Sequence, residues 1–556
     1  MATATESVVP SSLANAHSWI GNREVPGRGG VRPVVNPANG SPFAAASLLD
    51  AEQAASALAA AHKAFVGWSA LPVRQRARQL SRIHELLADE AEELARLIER
   101  EQGKPAGEAL AVEVFPALDA LKHLARHAEE ILREDPVESQ VALLAHKDCR
   151  ILYVPYGVVL VITPWNYPLF LPLGAMAAAL AAGNTVVLKP APATTLIGLK
   201  LGELCRRAGV PEGVVNVVAV DDALAPALVE DPRVGKIVFI GSVATGKRVM
   251  ASAASNLTPC LLELGGKDPA IVCCDADIEQ AARGIVWGAF VNAGQTCVSV
   301  ERVYVEEPVA DAFIAQVVEQ TRALRVGDPA AGEVDVGPLT LERQRRIVEE
   351  HVADALARGA TLLSGGQSLD QPGYFFPPTV LVGVDHGMRV MREETFGPVL
   401  PIMRVASLDE AVRLANDSAY GLSASGWTRS LETARRLQAE LEAGVVSIND
   451  CVSSLGEPTA PYGGFKHSGI GRCHGQAGLR EMVQSRYVTR DASRRPMLWW
   501  YPYGEDFRRL LASATQALHS RSPLRRVSGH LRLLASRRFW QRMSPLALLK
   551  NVDKLF

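Results

Sequence analysis

Cys297 stands in Asn292-Ala293-Gly294-Gln295-Thr296-Cys297, and Glu263 precedes it by 34 residues in Leu262-Glu263-Leu264-Gly265-Gly266-Lys267. A thiol can add to a carbonyl carbon, and a carboxylate can activate the water that breaks the resulting thioester. Together that is the chemistry of oxidising an aldehyde. Collapse of the first adduct must expel a hydride, which no side chain accepts, so a nicotinamide is expected beside Cys297. The alkoxide formed on attack needs preorganised donors, worth roughly 3–4 kcal/mol each in such a site. Asn166, in Thr163-Pro164-Trp165-Asn166-Tyr167-Pro168, offers a side-chain amide that does not titrate. Gly294 is expected to let the backbone approach a ligand closely, and the pair Gly265-Gly266 to let Glu263 move.

The cofactor needs its own anchor. After the apolar run Ile237-Val238-Phe239-Ile240 come Gly241 and Ser242, with the next glycine at Gly246. Ser242 is expected to cap a helix whose N-terminal amides face a pyrophosphate. With Glu393-Glu394-Thr395-Phe396-Gly397-Pro398 the chain carries five blocks. In residue type and order they resemble the NAD(P)-dependent aldehyde dehydrogenase superfamily. The resemblance covers about residues 30 to 490. It implies that Asn166 and the backbone N–H of Cys297 form the oxyanion site and that Glu263 is the general base. It also implies that Lys189 reaches the adenosine ribose, Glu394 holds the nicotinamide ribose and Phe396 contacts the ring, with Trp165, Gly241, Ser242, Gly246 and Leu264 completing the cofactor set. The cofactor implied is NAD or NADP.

Two positions depart from the family pattern. Many NAD-preferring members have a glutamate three residues after the lysine, where this chain has Pro192, so a 2′-phosphate meets no repulsion there and NAD is not excluded. Many also carry a polar residue around Ala175. The rival readings are a CoA-acylating enzyme of the same fold, against which Glu263 argues, and a non-catalytic membrane-associated scaffold, against which the joint presence of Cys297, Glu263, Asn166, Lys189 and Glu394 argues.

Elements that must position these residues are legible as alternation. Val158–Ile162, Thr185–Leu188, Val214–Val218 and Lys236–Ile240 are continuous apolar runs expected of strands buried on both faces. Helical stretches such as 175–182 and 196–208 lie between them, which implies a parallel, Rossmann-type sheet. A second α/β unit is expected over about 267–465. The fold class expected is thus α/β, with a Rossmann-type cofactor domain at 20–133 and 154–265, a catalytic domain at 266–465, and a small β oligomerisation part at 134–153 and 466–490. Residues 138–154 resemble the family's protruding strands, which pair with a strand here at about 481–490 and imply a homodimer or homotetramer.

The 556 residues are 48% hydrophobic and 21% charged, the composition of a globular protein. There is no run of about 18 apolar residues and no signal-like start, so a cytoplasmic location is expected. Eight cysteines show neither a disulfide framework nor metal-ligand spacing; no metal is expected, and Cys273-Cys274 read as buried strand. Residues 491–556 hold 13 Lys+Arg against 4 Asp+Glu, whereas the preceding 490 residues hold 45 against 56. This basic tail opens with Trp499-Trp500-Tyr501-Pro502-Tyr503 and places Phe507, Leu510, Leu511, Ala514 and Leu518 on one helical face. Pro523 and Pro545 follow serines expected to cap further helices, and Leu548, Leu549, Val552, Leu555 and Phe556 again share a face. Basic amphipathic helices with interfacial tryptophans suit an anionic membrane surface, the alternative being that they pack on the acidic body or on a partner subunit; no recognised nucleic-acid fold supports a nucleic-acid role. With no arginine in loop 451–458 to meet a substrate carboxylate, the substrate expected is an apolar aldehyde, medium- or long-chain or aromatic.

Overall fold

The computed structural model describes residues 15–139, 141, 144, 147–491, 496–497 and 499–542. The chain divides into two compact units, Met1–Ile131 with Pro155–Val483, and Leu132–Val154 with Gln484–Phe556.

In the first unit five parallel strands, β1 (Val158–Ile162), β2 (Thr185–Lys189), β3 (Val215–Val217), β4 (Val234–Gly241) and β5 (Cys260–Leu264), lie in the spatial order β3-β2-β1-β4-β5. That is the doubly wound order, whose ligand crevice opens at the carboxyl ends of β1 and β4, where the strand order reverses. The strands are buried on both faces, as their unbroken Val/Ile/Leu runs require. Helices α1 (Phe170–Ala182) and α2 (Thr195–Arg207) cross over from β1 to β2 and from β2 to β3, and α3 (Val243–Ala253) follows β4. Antiparallel edges close the sheet: Gly469–Ile470 on β5, and Ser18–Ile20 with Arg23–Val25 on β3.

A second sheet follows directly. β6 (Asp268–Val272), β7 (Val300–Glu306), β8 (Thr361–Ser364), β9 (Thr379–Val382), β10 (Val399–Val405), β11 (Ser423–Trp427) and β12 (Val445–Ile448) lie in the order β8-β9-β10-β7-β6-β11-β12, parallel except for β8. Helix α4 (Ile278–Phe290), capped by Asp277, leads from β6 to the cysteine loop. Cys273-Cys274 correct the expectation of buried strand: β6 ends at Val272, and Cys273 is buried while Cys274 is exposed in the following turn.

In the second unit Val483–Arg490, Asp148–Pro155 and Asp135–Pro136 form a three-stranded sheet in that order. The tail forms α5 (Glu505–His519), α6 (Pro523–Leu534) and α7 (Arg537–Arg542), with Leu510, Ala514, Leu533 and Phe539 as a small core. The α5 face is narrower than expected, since Phe507, Leu511 and Leu518 are only half-buried. Helix α6 opens at Pro523 as the sequence predicts, but Ser522 makes no side-chain cap. The expected helix at Pro545 and its face through Phe556 lie outside the described residues.

Candidate active site

The loop after β1 carries Asn166, and three side chains from elsewhere in the chain fix its backbone. Lys104 Nζ and Asn292 Nδ2 both donate to the Asn166 carbonyl, at 3.1 and 2.9 Å. Lys104 also pairs with Glu113 Oε1 at 2.7 Å, with both side chains fully withdrawn from water. The other Glu113 oxygen accepts the amides of Leu169 and Phe170, where α1 begins. Glu113 sits in a π-helical turn, Leu110–Val114, of the sort that re-aims side chains at functional sites. The Asn166 side chain donates through Nδ2 to the Gln295 carbonyl at 2.9 Å, and its Oδ1 is buried without a partner.

Cys297 is delivered by a turn in which Asn292, Ala293 and Gly294 all have positive φ, 56°, 53° and 73°. The reason for Gly294 differs from the expected ligand approach: a Cβ there would lie 2.2 Å from the carbonyl oxygen of Gly397, so the glycine lets two backbones meet. The Cys297 Sγ lies 3.2 Å from the Tyr462 hydroxyl. Burial pushes the thiol up to about 12; the Tyr462 hydrogen bond acts against this, and the carboxyls of Asp268, Glu263 and Glu394 add to it.

Glu263 lies on β5, buried, with neither carboxyl oxygen hydrogen-bonded. Burial raises its pKa well above the usual range, opposed by the neighbouring Cys473 thiol and the Arg472 guanidinium. An unpartnered buried carboxyl costs stability and is held protonated until a proton acceptor or water reaches it. A Cβ on Gly265 would lie 2.3 Å from the Glu394 carboxylate, so this glycine makes room for Glu394.

Glu394 accepts the Gly266 amide at 3.2 Å, and burial pushes its carboxyl up to about 8. Its loop hangs on Glu301, which accepts the amides of Thr395 and Phe396 at 2.8 Å each. The Phe396 ring meets Trp165 edge-on, centroids 5.5 Å apart.

At the end of β4 the Ser242 Oγ accepts the Thr245 amide at 3.4 Å, which is the cap the sequence predicts for α3. Lys189, at the end of β2, pairs with Asp222 at 2.7 Å. One cavity of about 760 Å³ joins Lys189, Gly241 and Ser242 to Trp165, Leu264, Glu394 and Phe396, and these to Asn166, Glu263 and Cys297. Gly246 does not line it; a Cβ there would meet the Leu264 side chain at 2.6 Å, so its place is the packing of α3 on β5. The helix N-terminus, the buried lysine and the continuous passage to the thiol fit a dinucleotide lying across the switch point. Tyr462, Cys473 and the supports Lys104, Glu113 and Glu301 escape the sequence reading. Buried charges within helices or strands carry no local signal, because their partners are distant in sequence.

The aldehyde dehydrogenase family model matches residues 25–488. The chain is 40% identical over 447 residues, 80% of this chain and 83% of the relative, to the 4,4'-diapolycopene aldehyde oxidase of Methylomonas sp. It is 38% identical over 456 residues, 82% of this chain and 93% of the relative, to an NADP(+) succinate-semialdehyde dehydrogenase of Escherichia coli. Among solved structures, the lactaldehyde dehydrogenase of Escherichia coli matches with a TM-score of 0.83 at 35% identity, covering 86% of this chain and 100% of that one. The NAD+ complex of an aldehyde dehydrogenase from Bacillus cereus matches with a TM-score of 0.83 at 32% identity, covering 86% and 97%. With a doubly wound sheet, a thiol and a carboxyl in one cavity and these likenesses over most of its length, the chain belongs to the aldehyde dehydrogenase family, as an NAD(P)-dependent, non-acylating enzyme.

Proposed function

We propose that the enzyme oxidises an apolar aldehyde to its carboxylic acid through a covalent adduct on Cys297. The observation that carries this reading is the meeting of Cys297, Asn166 and the unpartnered Glu263 in one cavity with an apolar wall. The Cys297 thiol gives up its proton and the sulfur bonds the carbonyl carbon. Asn166 Nδ2 has two hydrogens; one is held by Gln295, and the other is free to meet the alkoxide together with the Cys297 N–H. Lys189, Ser242, Glu394 and Phe396 would hold a nicotinamide dinucleotide, which would supply the hydride acceptor the oxidation needs. Glu263 then takes a proton from water, the hydroxide adds to the thioester carbon, and the Cys297 sulfur leaves.

Support for an apolar substrate comes from α1, whose cavity-facing residues are Leu171, Gly174, Ala175 and Ala178, at helical spacing and mostly small. Leu455 and Phe170 add apolar lining, and His474, the titratable base there, is pushed down to about 4 by burial. The relatives divide between 4,4'-diapolycopene aldehyde and succinate semialdehyde; the latter carries a carboxylate for which this wall offers no cation. Absorbance at 340 nm with NAD or NADP, over a panel of short, aromatic, long-chain and carboxylated aldehydes, tests this reading with Cys297→Ala as control. Higher kcat/KM for succinate semialdehyde than for the apolar aldehydes overturns the substrate assignment.

The proposed domain roles keep their boundaries: cofactor binding by 20–133 and 154–265, catalysis by 266–465, and subunit pairing into a dimer or tetramer by 134–153 and 466–490. The tail is proposed to hold the enzyme on an anionic membrane surface. Among the described residues no helix is long and apolar enough to cross a membrane. Helix α6 instead bears an outer stripe of Leu524, Val527, Leu531 and Leu534, which are 83, 60, 65 and 47% exposed. Its inner face is closed against α5, since a Cβ on Gly529 would lie 2.4 Å from the Ala517 amide nitrogen. Arg525 and Arg532 flank the stripe, which favours anionic lipid over a second copy bearing the same charges. Sedimentation with phosphatidylglycerol vesicles should be lost in Leu524→Glu/Leu531→Glu; equal sedimentation of both proteins overturns the stripe as the contact.

A further inference from the structure

We propose that Tyr462 is a catalytic residue whose hydroxyl donates to the Cys297 sulfur and holds it as the attacking thiolate. This rests on the reading of Cys297 as the nucleophile. The contact is direct: Sγ and Oη are 3.2 Å apart, and Tyr462 is the only hydrogen-bond partner of that sulfur among the described residues. A donor there matters because of what surrounds the sulfur. The titratable neighbours acting on Cys297 include three carboxyls, Asp268, Glu263 and Glu394, each of which disfavours a thiolate once it ionises. The nearby ammonium of Lys267 is committed to Glu301 and Thr395. Reactive cysteines usually draw their thiolate character from a cation or a helix N-terminus; here a phenol stands in that place.

The tyrosine is built to hold this position. Its amide donates to the Cys473 carbonyl at 2.9 Å and its carbonyl accepts the Cys473 amide at 2.7 Å. The ring is buried and packs on His474 with centroids 5.7 Å apart, and His474 packs in turn on Phe170. The hydroxyl makes no second hydrogen bond among the described residues, so its proton is free for sulfur. In the reaction the thiol proton leaves to solvent water, the phenol keeps its own proton and offers it as a hydrogen bond to the anion, and that bond weakens once the S–C bond forms and the charge moves to oxygen. The phenol thus raises the thiolate fraction of the free enzyme, at the cost of some intrinsic nucleophilicity.

The experiment is the rate of Cys297 alkylation by iodoacetamide against pH, followed by mass spectrometry of the Cys297 peptide in wild type, Tyr462→Phe and Cys297→Ala. Loss of the phenol should move the alkylation midpoint up by about one to two pH units. Below the midpoint it should slow alkylation about 3- to 15-fold, given that nucleophilicity rises partly in compensation. Replacing Tyr462 by 3,5-difluorotyrosine, which keeps the shape and strengthens the donor, should move the midpoint down. An unchanged midpoint in both variants overturns the proposal. Turnover retained by Cys297→Ala sinks the nucleophile reading itself, whatever the profiles show. Should Tyr462→Phe not fold, the fluorinated protein alone decides by the direction of its shift.

Discussion

Glu301 and Lys267 meet at 2.6 Å with their side chains 4 and 0% exposed, and from this buried pair hangs the loop that presents Glu394 and Phe396. Both oxygens of Glu301 are occupied, one by the Phe396 amide and the other by the Thr395 amide and the ammonium. Burial lowers the pKa of Lys267, and the Glu301 carboxylate offsets that. Such a pair is costly to break from one side, because the charge left behind has no water. Lys267→Met should therefore lower stability by about 3–5 kcal/mol in urea unfolding. It should also raise KM for the dinucleotide, since the loop it tethers faces the cofactor.

Asn166→Ala removes an oxyanion donor without touching the thiol. We expect kcat/KM to fall by about 10²–10³-fold, with the rate of Cys297 alkylation unchanged. A parallel fall in both would mean that the variant disturbs the cysteine loop through the Gln295 carbonyl and not the transition state.

Glu263 sets a pH dependence. Only its carboxylate can take a proton from water, and burial keeps it protonated beyond the usual carboxylate range. Hydrolysis of the thioester should rise about tenfold per pH unit below the raised folded pKa, so where deacylation limits, kcat keeps climbing with pH beyond the usual carboxylate range. The stability sign runs opposite. The folded protein keeps this proton after the unfolded chain, with its ordinary value of 4.5, has lost it, so stability falls as pH rises between the two. Glu263→Gln should flatten both trends and be more stable than wild type at alkaline pH, checked by urea midpoints at pH 6 and 9.

Gly174 tests the width of the substrate passage. A Cβ added there meets nothing within 4 Å, and the residue lines the cavity on the free face of α1. Gly174→Trp should fold and should lower kcat/KM for long-chain or aromatic aldehydes at least about tenfold relative to acetaldehyde.

The parts of the molecule governed by local pattern were legible in the sequence. The unbroken apolar runs became β1 to β4, and Ser242 caps α3 because a short side chain there reaches the Thr245 amide. The order of the motifs brought Cys297, Glu263 and Asn166 to one cavity as the resemblance implied. What could not be read is nonlocal. Lys104 reaches the Asn166 carbonyl across 62 residues of chain and Glu113 the Leu169 amide across 56, and nothing local to either charge points to these partners. The glycines show the same limit: Gly294 reads as room for a ligand, but a distant backbone, Gly397, presses on it, and Glu394 likewise presses on Gly265. Nothing local to Tyr462 says that its hydroxyl faces a sulfur 165 residues away.

The central claim is that Cys297 carries the acyl group and Glu263 releases it. We would mix Glu263→Gln with NAD or NADP and a good aldehyde in a rapid-mixing spectrometer, then weigh the Cys297 peptide. A burst of about one equivalent of reduced cofactor per site followed by near arrest is expected, with the acyl mass on Cys297. Continuous turnover at the wild-type rate with no adduct on Cys297 would contradict it.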